Sequence, residues 1–559
     1  MLRNRTAPWA IAVLAVSLAP ACGGSSDSRA PELPTHSATA ESHVGMVVTG
    51  SPYATEAGVR MLEAGGNAVD AAVAAAFALA VAEPTQSGLG GRSQMLIRLA
   101  DGSVHAIDGT TQVPAVYDAA TAPEGEHGHA AVGIPGTVAA LTRAVEEHGS
   151  LPLTTVIEPA RTWAREGILL PAGEAGRFAG FSQEVDPGSP LALNFFGEGG
   201  EPPPAGGLLV QADLGDVLGA LAGGGHESFY GGDIAARIVG DMEANGGFVT
   251  AEDLSAYEAE DGFVGRGRYG DLEILGSYLP ASGVTVIEIL QILDRLGLEG
   301  LSEAEWFATV SEALLAGFED REIAEHWDPV RAVSWITSDS LADRRAVDVA
   351  ARVAVSAGRR SAFAATGMVS QRRPGAYDHG SESAFTTHIS VADDRGNVVA
   401  LTQSLGPTAG ARVMTPGLGF LYASTLGGYL ASGEAGYRPW SSQAPLVVLR
   451  DGRPVLVLGG AGARRILSAL VVTVVKFAEE DMALADILEL PRLHPTGGEL
   501  LVEEGWSGID ALTALGYTVD ARPRTYFARL NAVEVLYDGS FRGVGEPRWI
   551  ESAAGGPRR

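Results

Sequence analysis

The sequence predicts an α/β protein whose helices and sheets stack as layers, and three observations carry that prediction. Hydrophobic residues make up 46% of the 559 and charged residues 19%, which supplies core for several compact units and excludes disorder over most of the length. Helical periodicity dominates as far as Trp327, and alternating, strand-like segments dominate after Thr386.

Taken in order, the elements begin with an export signal. Arg3 and Arg5 precede an apolar run over 7–21 that is too short to span a bilayer and ends in Ala19-Pro20-Ala21-Cys22. Cys22 followed by Gly-Gly-Ser-Ser-Asp-Ser has the form of a bacterial lipoprotein site, with Leu18 four residues ahead rather than three; ordinary cleavage after Ala21 is the alternative. Cys22 is the only cysteine, so the chain can form no intramolecular disulfide or thiolate metal cage. Residues 1–22 are thus a signal segment, and 23–43, rich in Ser, Pro, Ala and Gly, a flexible tether.

Folding is expected from Val44. A helix opening at Ser51-Pro52 stops at Gly65-Gly66-Asn67, and a second over 68–82, apolar nearly all round, is buried. Gly88-Leu89-Gly90-Gly91 turns into a strand over 94–99, which Asp101-Gly102 joins to 103–107 as a hairpin. Helices are expected over 135–147, 153–166, 229–244, 283–296 and 302–327, with Thr250-Ala251-Glu252-Asp253 capping one more. The stretch 352–383 is Gly-, Arg- and Ser-rich, lacks apolar periodicity and predicts an exposed loop open to processing. Beyond it, 387–392 and 398–403 form a hairpin around Asp393-Asp394-Arg395-Gly396. Further strands follow over 446–449, 454–458, 500–502 and 532–537, with a helix over 464–480.

A formal charge of -29 argues against nucleic acid and against broad attachment to anionic lipid. The 11 histidines are scattered, no metal or nucleotide motif is present, and neither metal nor cofactor is expected. Gly459-Gly460-Ala461-Gly462 lacks the third glycine of a dinucleotide loop and reads as a tight turn; the serine-hydrolase elbow is missing.

Chemistry concentrates at Ser383-Ala384-Phe385-Thr386-Thr387-His388, where a strand starts at two threonines straight after the loop. A threonine hydroxyl is a weak nucleophile at neutral pH and needs a base. One arrangement supplies it by making the threonine the first residue of a new chain, so that its own α-amine, with a pKa near ~7.7, takes the proton. That requires a cut between Phe385 and Thr386. The plainer reading leaves both threonines as ordinary strand residues.

Thr386-Thr387-His388-x-Ser390-Val391-x-Asp393-x-x-Gly396-Asn397 resembles the start of the small subunit in the γ-glutamyltransferase family. Gly65–Ala74, Gly88–Gly91, Gly133–Thr137, Phe229–Ala235, Gly246–Leu254 and Arg438-Pro439-Trp440-Ser441-Ser442 agree in the family's order, spanning 44–550. The resemblance implies a four-layer αββα sandwich of the N-terminal-nucleophile type, made of a large subunit over 44–385 and a small one over 386–559. It implies that Thr386 attacks a γ-glutamyl or related amide as in glutathione, and that water, an amino acid or a peptide takes the acyl group. By the same match Ser404 orients the nucleophile's amine, Gly462 and Ala463 form the oxyanion hole, and Ser441 and Ser442 bind the substrate's α-carboxylate.

Three positions depart from the family pattern. Thr110 stands where an arginine clamps the α-carboxylate, Gly427-Gly428 where an acidic pair holds the α-ammonium, and Gly406 where an asparagine follows the second hydroxyl. Losing such charge-assisted bonds costs roughly 1.5–3 kcal/mol each. Either Arg412 or Arg92 supplies charge from elsewhere, or the acyl group differs, as in cephalosporin acylases and oxamate amidohydrolases on this fold. Two functions remain at this stage: an active threonine amidase or transferase, and an exported binding lipoprotein that never matures.

Overall fold

The structure, a computed structural model, describes residues 33–356 and 384–558 except 198, 279, 326 and 431–433. The signal segment, Cys22, most of the tether and residues 357–383 lie outside the described residues.

Two seven-stranded antiparallel sheets form the centre. The first runs Ala553–Gly555, Gly45–Thr49, Ala384–Asp393, Val398–Pro407, Arg92–Arg98, Val104–Gly109 and Glu260–Asp261. The second runs Thr39–Ser42, Phe541–Val544, Arg529–Val535, Arg453–Ala461, Leu446–Arg450, Leu272–Tyr278 and Phe263–Tyr269. Strand alternation turns these sheets into layers, because successive side chains point to opposite faces. Ile389, Val391, Val399 and Leu401 pack with the helix Ala68–Ala82. Their neighbours Ala392, Val398 and Ala400 face Val447, Leu449, Val457 and Val533 of the second sheet. On that sheet's far side Leu446, Val448, Leu456 and Leu458 meet the helices Gly283–Leu296, Glu303–Ala324 and Arg465–Glu479. The order is helix, sheet, sheet, helix, as the resemblance implies.

The helix Ala68–Ala82 is buried along its whole length. Asn67 belongs to its start and not to the previous helix's end: its side chain accepts from the N–H groups of Val69 and Asp70, and Asp70 returns a bond to the Asn67 N–H. Asp393 Oδ2 accepts the Ala68 N–H at 2.9 Å, while Oδ1 accepts the N–H groups of Arg395 and Asn397. The Asp393…Gly396-Asn397 pattern therefore ties the hairpin behind Thr386 to a buried helix end.

Four further expectations need correction. Folding starts before Val44, because Thr39–Ser42 pairs with Phe541–Val544 and so takes the end of the tether into a sheet. The helix expected over 229–244 is two, Ala212–Tyr230 and Asp233–Asn245, broken at Gly231-Gly232. The helix expected over 302–327 ends at Ala324. Arg352 opens no loop: it sits in the helix Asp339–Ser356, pairing with Glu319 at 2.9 Å, while Arg345 of the same helix pairs with Asp320. That helix buries Leu341, Ala342, Ala346 and Val349 on one side, a stripe hidden in the sequence by its charges. Among the described residues no helix is long and apolar enough to cross a membrane.

Candidate active site

Thr386 stands near the start of the strand Ala384–Asp393, paired with Val398–Pro407. Pairing is regular from Thr386↔Ser404 to Ala392↔Val398 and shifts register between Phe385 and Thr386, at the bond expected to be cut. The Ser404 hydroxyl uses its full capacity there: it accepts from Thr386 Oγ1 at 2.9 Å and from the Gly406 N–H at 2.9 Å, and donates to the Phe385 carbonyl at 3.0 Å. Both side chains are nearly shut away, Thr386 at 6% and Ser404 at 2% exposure.

Charges back this strand from the sides. Arg529 Nη2 donates to the Thr386 carbonyl at 3.4 Å, and its guanidinium lies 4.0 Å from the Trp549 ring and 5.7 Å from the Phe385 ring. Burial lowers the Arg529 pKa to about 10, helped by the like charge of Arg177. Glu83, beside Thr387, is raised to about 7 by burial, with Arg177 opposing. His388 bridges Thr402 Oγ1 at 2.8 Å and Ser390 Oγ at 3.0 Å, and burial lowers its pKa to about 3, so it is a neutral core group and not a base.

Gly462 and Ala463 connect the strand Arg453–Ala461 to the helix Arg465–Glu479, with φ of 134° and 54°. A non-glycine residue held there costs roughly 1–2 kcal/mol, strain of a kind that collects at functional loops. The turn leads directly into the N-terminal end of a 15-residue helix, whose dipole favours negative charge.

These groups open on a cavity of about 490 Å³ lined by Thr386, Ser404, Ser441, Ser442, Ala463 and several arginines. Ser441 is fixed by its N–H to the Pro280 carbonyl at 2.8 Å and by Gln443, whose N–H it accepts at 3.1 Å. Ser442 Oγ accepts from Arg321 Nη1 at 3.3 Å, and the Arg321 guanidinium lies 5.4 Å from the Trp440 ring. Four guanidinium groups (Arg92, Arg321, Arg464, Arg465) line the cavity against two carboxylates, Glu322 and Glu325. Burial lowers the Arg321 pKa to about 10, with the nearby Arg464 contributing. Among the described residues no three His, Cys, Asp or Glu side chains are grouped to hold a metal ion.

The family model described as Gamma-glutamyltranspeptidase matches residues 54–556. The chain belongs to this family. The glutathione hydrolase proenzyme of Escherichia coli (strain K12) is 32% identical to it over 545 residues, 92% of each chain. The Acylase ACY 1 proenzyme of Pseudomonas sp. (strain V22) is 34% identical over 531 residues, 89% of this chain and 91% of that one. A cephalosporin acylase from Bacillus halodurans superposes with a TM-score of 0.81 over 95% of this chain and 99% of its own, at 22% identity, a likeness of fold. The protein is thus a γ-glutamyltranspeptidase-family enzyme of the hydrolase and acyltransferase kind with an N-terminal-nucleophile fold.

Against this γ-glutamyltranspeptidase frame, Thr386, Ser404, Ala463, Ser441 and Ser442 share one cavity, with Gly462 next to Ala463 in the same turn. Thr110 is not among its lining residues; it is buried, accepting from Gln94 Nε2 at 2.7 Å. Gly427 and Gly428 line a separate cleft with Tyr117 and Glu124, where the Gly125 N–H donates to the Gly427 carbonyl at 2.9 Å. Of the two arginines weighed as substitutes, Arg412 is engaged elsewhere, 2.5 Å from Glu184, and Arg92 lines the cavity. Arg321 and Tyr429 escaped the sequence reading, and Trp440 entered it only as part of the Arg438–Ser442 motif; only the chemistry of an arginine in an otherwise buried helical run could have flagged the first.

Proposed function

We propose that the chain cuts itself between Phe385 and Thr386 and then hydrolyses or transfers the acyl part of amides whose acyl group ends in a carboxylate. γ-Glutamyl amides of the glutathione type and other acyl amides are the two substrate classes suggested by its relatives' names. The observation that carries this reading is the single Ser404 hydroxyl shared by the Thr386 hydroxyl and the Phe385 carbonyl.

In the uncut chain Thr386 Oγ1 attacks the Phe385 carbonyl carbon, passing its proton to Ser404 as Ser404 protonates the carbonyl oxygen. The proton on that oxygen passes to the amide nitrogen, which leaves as the Thr386 α-amine; an ester then joins Phe385 to Oγ1, and water hydrolyses it to a Phe385 carboxylate and a free threonine. In turnover that amine takes the Oγ1 proton while Oγ1 attacks the substrate carbonyl. The N–H groups of Gly462 and Ala463 receive the developing oxyanion, a contribution of roughly 2.7–4 kcal/mol per donor in comparable sites. The departing amine takes a proton, and water or an amine acceptor opens the acyl ester. Ser441, Ser442 and Arg321 hold the acyl carboxylate.

Gel electrophoresis with amino-terminal sequencing tests this. Wild-type protein yields two fragments, the smaller starting at Thr386, and Thr386→Ala yields one inactive band. Activity in protein with an intact 385–386 bond would overturn the reading. Export and lipid attachment at Cys22 belong to the same proposal, supported by Arg3, Arg5 and the apolar run over 7–21; Cys22→Ala then abolishes fatty-acid labelling.

A further inference from the structure

Arg92 stands in cross-strand register with Ser404, which is itself in register with Thr386. Cross-strand partners share a face of the sheet, their Cβ atoms roughly 4.5–5.5 Å apart. Arg92 thus belongs to the same row as the two reacting hydroxyls. Its side chain is 4% exposed; Nη1 reaches the Ser424 carbonyl at 3.3 Å, the Tyr429 side chain hydrogen-bonds the guanidinium, Nε has no partner, and no carboxylate lies within 4.0 Å among the described residues. Tyr429 faces it, with the ring centroid 5.9 Å away.

The space it occupies is set by Gly406. This glycine has φ 92°, and a Cβ built on it would lie 2.9 Å from Tyr429 Cε1 and 3.2 Å from Arg92 Nη2. A side chain at 406 would have to displace the Tyr429 ring and the Arg92 guanidinium. Gly406 thus leaves the wall beside Ser404 open to the Arg92 guanidinium and the Tyr429 ring. An incompletely bonded, buried guanidinium bordering a cavity is costly unless an anion or carbonyl oxygen arrives to meet it.

We propose that Arg92 inverts the charge preference of the acyl subsite beside Ser404, so that this enzyme favours carboxylate-ended acyl donors bearing hydrogen or an oxygen acceptor, and not an ammonium, at the carbon facing Arg92. The free carboxylate goes to Ser441, Ser442 and Arg321, and the neighbouring carbon meets Arg92. Arg92 acts here as a specificity residue. An ammonium at that carbon meets a desolvated like charge; a hydroxyl or carbonyl oxygen at the same place accepts a guanidinium N–H.

This inference rests on the function proposed above, and one panel separates the two. Three anilides with the same leaving group differ only at that carbon: 4-carboxy-4-aminobutanoyl (γ-glutamyl), 4-carboxybutanoyl, and 4-carboxy-4-hydroxybutanoyl. Processed wild-type enzyme shows kcat/KM for the hydroxy and unsubstituted compounds at least tenfold above the amino compound. Arg92→Gly narrows that gap at least tenfold, chiefly through KM, while Arg92→Lys keeps most of it; both are checked for two-fragment processing. A gap unchanged in a processed Arg92→Gly enzyme would mean that Arg92 only packs, and so would its loss in Arg92→Lys. Should Arg92→Gly fail to process, Arg92→Gln decides by the same ratio. Wild-type preference for the amino compound overturns the inference and leaves the amidase standing, whereas no turnover of any of the three ends both.

Discussion

The two ends of the cavity are built by different means. At the Thr386 end, backbone does the positioning: strand register aligns Thr386 with Ser404, and two consecutive residues of positive φ present the turn at 462–463. At the acyl end, side chains from scattered elements meet: Arg321 from the helix Glu303–Ala324, Ser442 from a loop, and Arg92 from a strand. Backbone geometry tolerates a change of side chain. A subsite made of side chains has no such buffer. It can be rebuilt by a few substitutions without disturbing the chemistry next to it.

Gly462→Val strikes the backbone-built end and has the largest expected effect. Its Cβ lands 2.8 Å from Ala528 Cα, displacing the N–H groups proposed to receive the oxyanion, so kcat is expected to fall by about 10²–10³ in the processed fraction while KM changes little. Arg321→Ala strikes the side-chain end. Loss of a charge-assisted contact worth roughly 1.5–3 kcal/mol raises KM for a carboxylate-ended amide by about 10- to 100-fold and spares kcat; equal loss in both constants would contradict the division drawn above.

Next comes a pH effect from the core beneath the nucleophile. Burial lowers the His388 pKa from 6.5 to about 3, so between those values the unfolded chain takes up a proton that the folded chain refuses. The stability this represents is complete above about pH 6.5 and is lost as pH falls towards 3, at up to about 1.4 kcal/mol per unit. Glu83, raised to about 7, slopes the other way between 4.5 and 7. The check is therefore a difference: Tm against pH for wild type and His388→Gln, with the variant losing less on acidification. The smallest effect is expected of Arg412→Ala, whose partner Glu184 is largely exposed; kcat/KM should stay within about twofold.

Much of this was legible in the sequence, and unevenly so. The hairpin around Asp393 showed because its alternation and turn agreed with the final structure, and the helix Ala68–Ala82 because it is apolar nearly all round, although its cap Asn67 reads in the sequence as the end of the previous helix. Thr386 showed through the abrupt strand start and the surrounding motif. The helix Ala212–Tyr230 was missed because five glycines break its helical propensity, and Asp339–Ser356 because its charges mask an apolar stripe. Arg321 stayed hidden for a spatial reason: its helix is buried on most sides, so no amphipathic face told an inward arginine from an outward one. Arg92 stood out as a break in a glycine run, and its meaning came only with the register that sets it beside Ser404.

One feature of the sheets bears on what a cut at 385–386 leaves behind. Gly45–Thr49 is clasped between Ala384–Asp393 and Ala553–Gly555, Arg92–Arg98 runs along Val398–Pro407, Thr39–Ser42 along Phe541–Val544, and Leu272–Tyr278 along Leu446–Arg450. Five ladders of main-chain hydrogen bonds therefore cross from one product to the other. The severed halves are interwoven rather than docked, with no covalent link required to keep them together. Dilution or high salt should leave them joined, and only a denaturant strong enough to melt the sheets should set either one free.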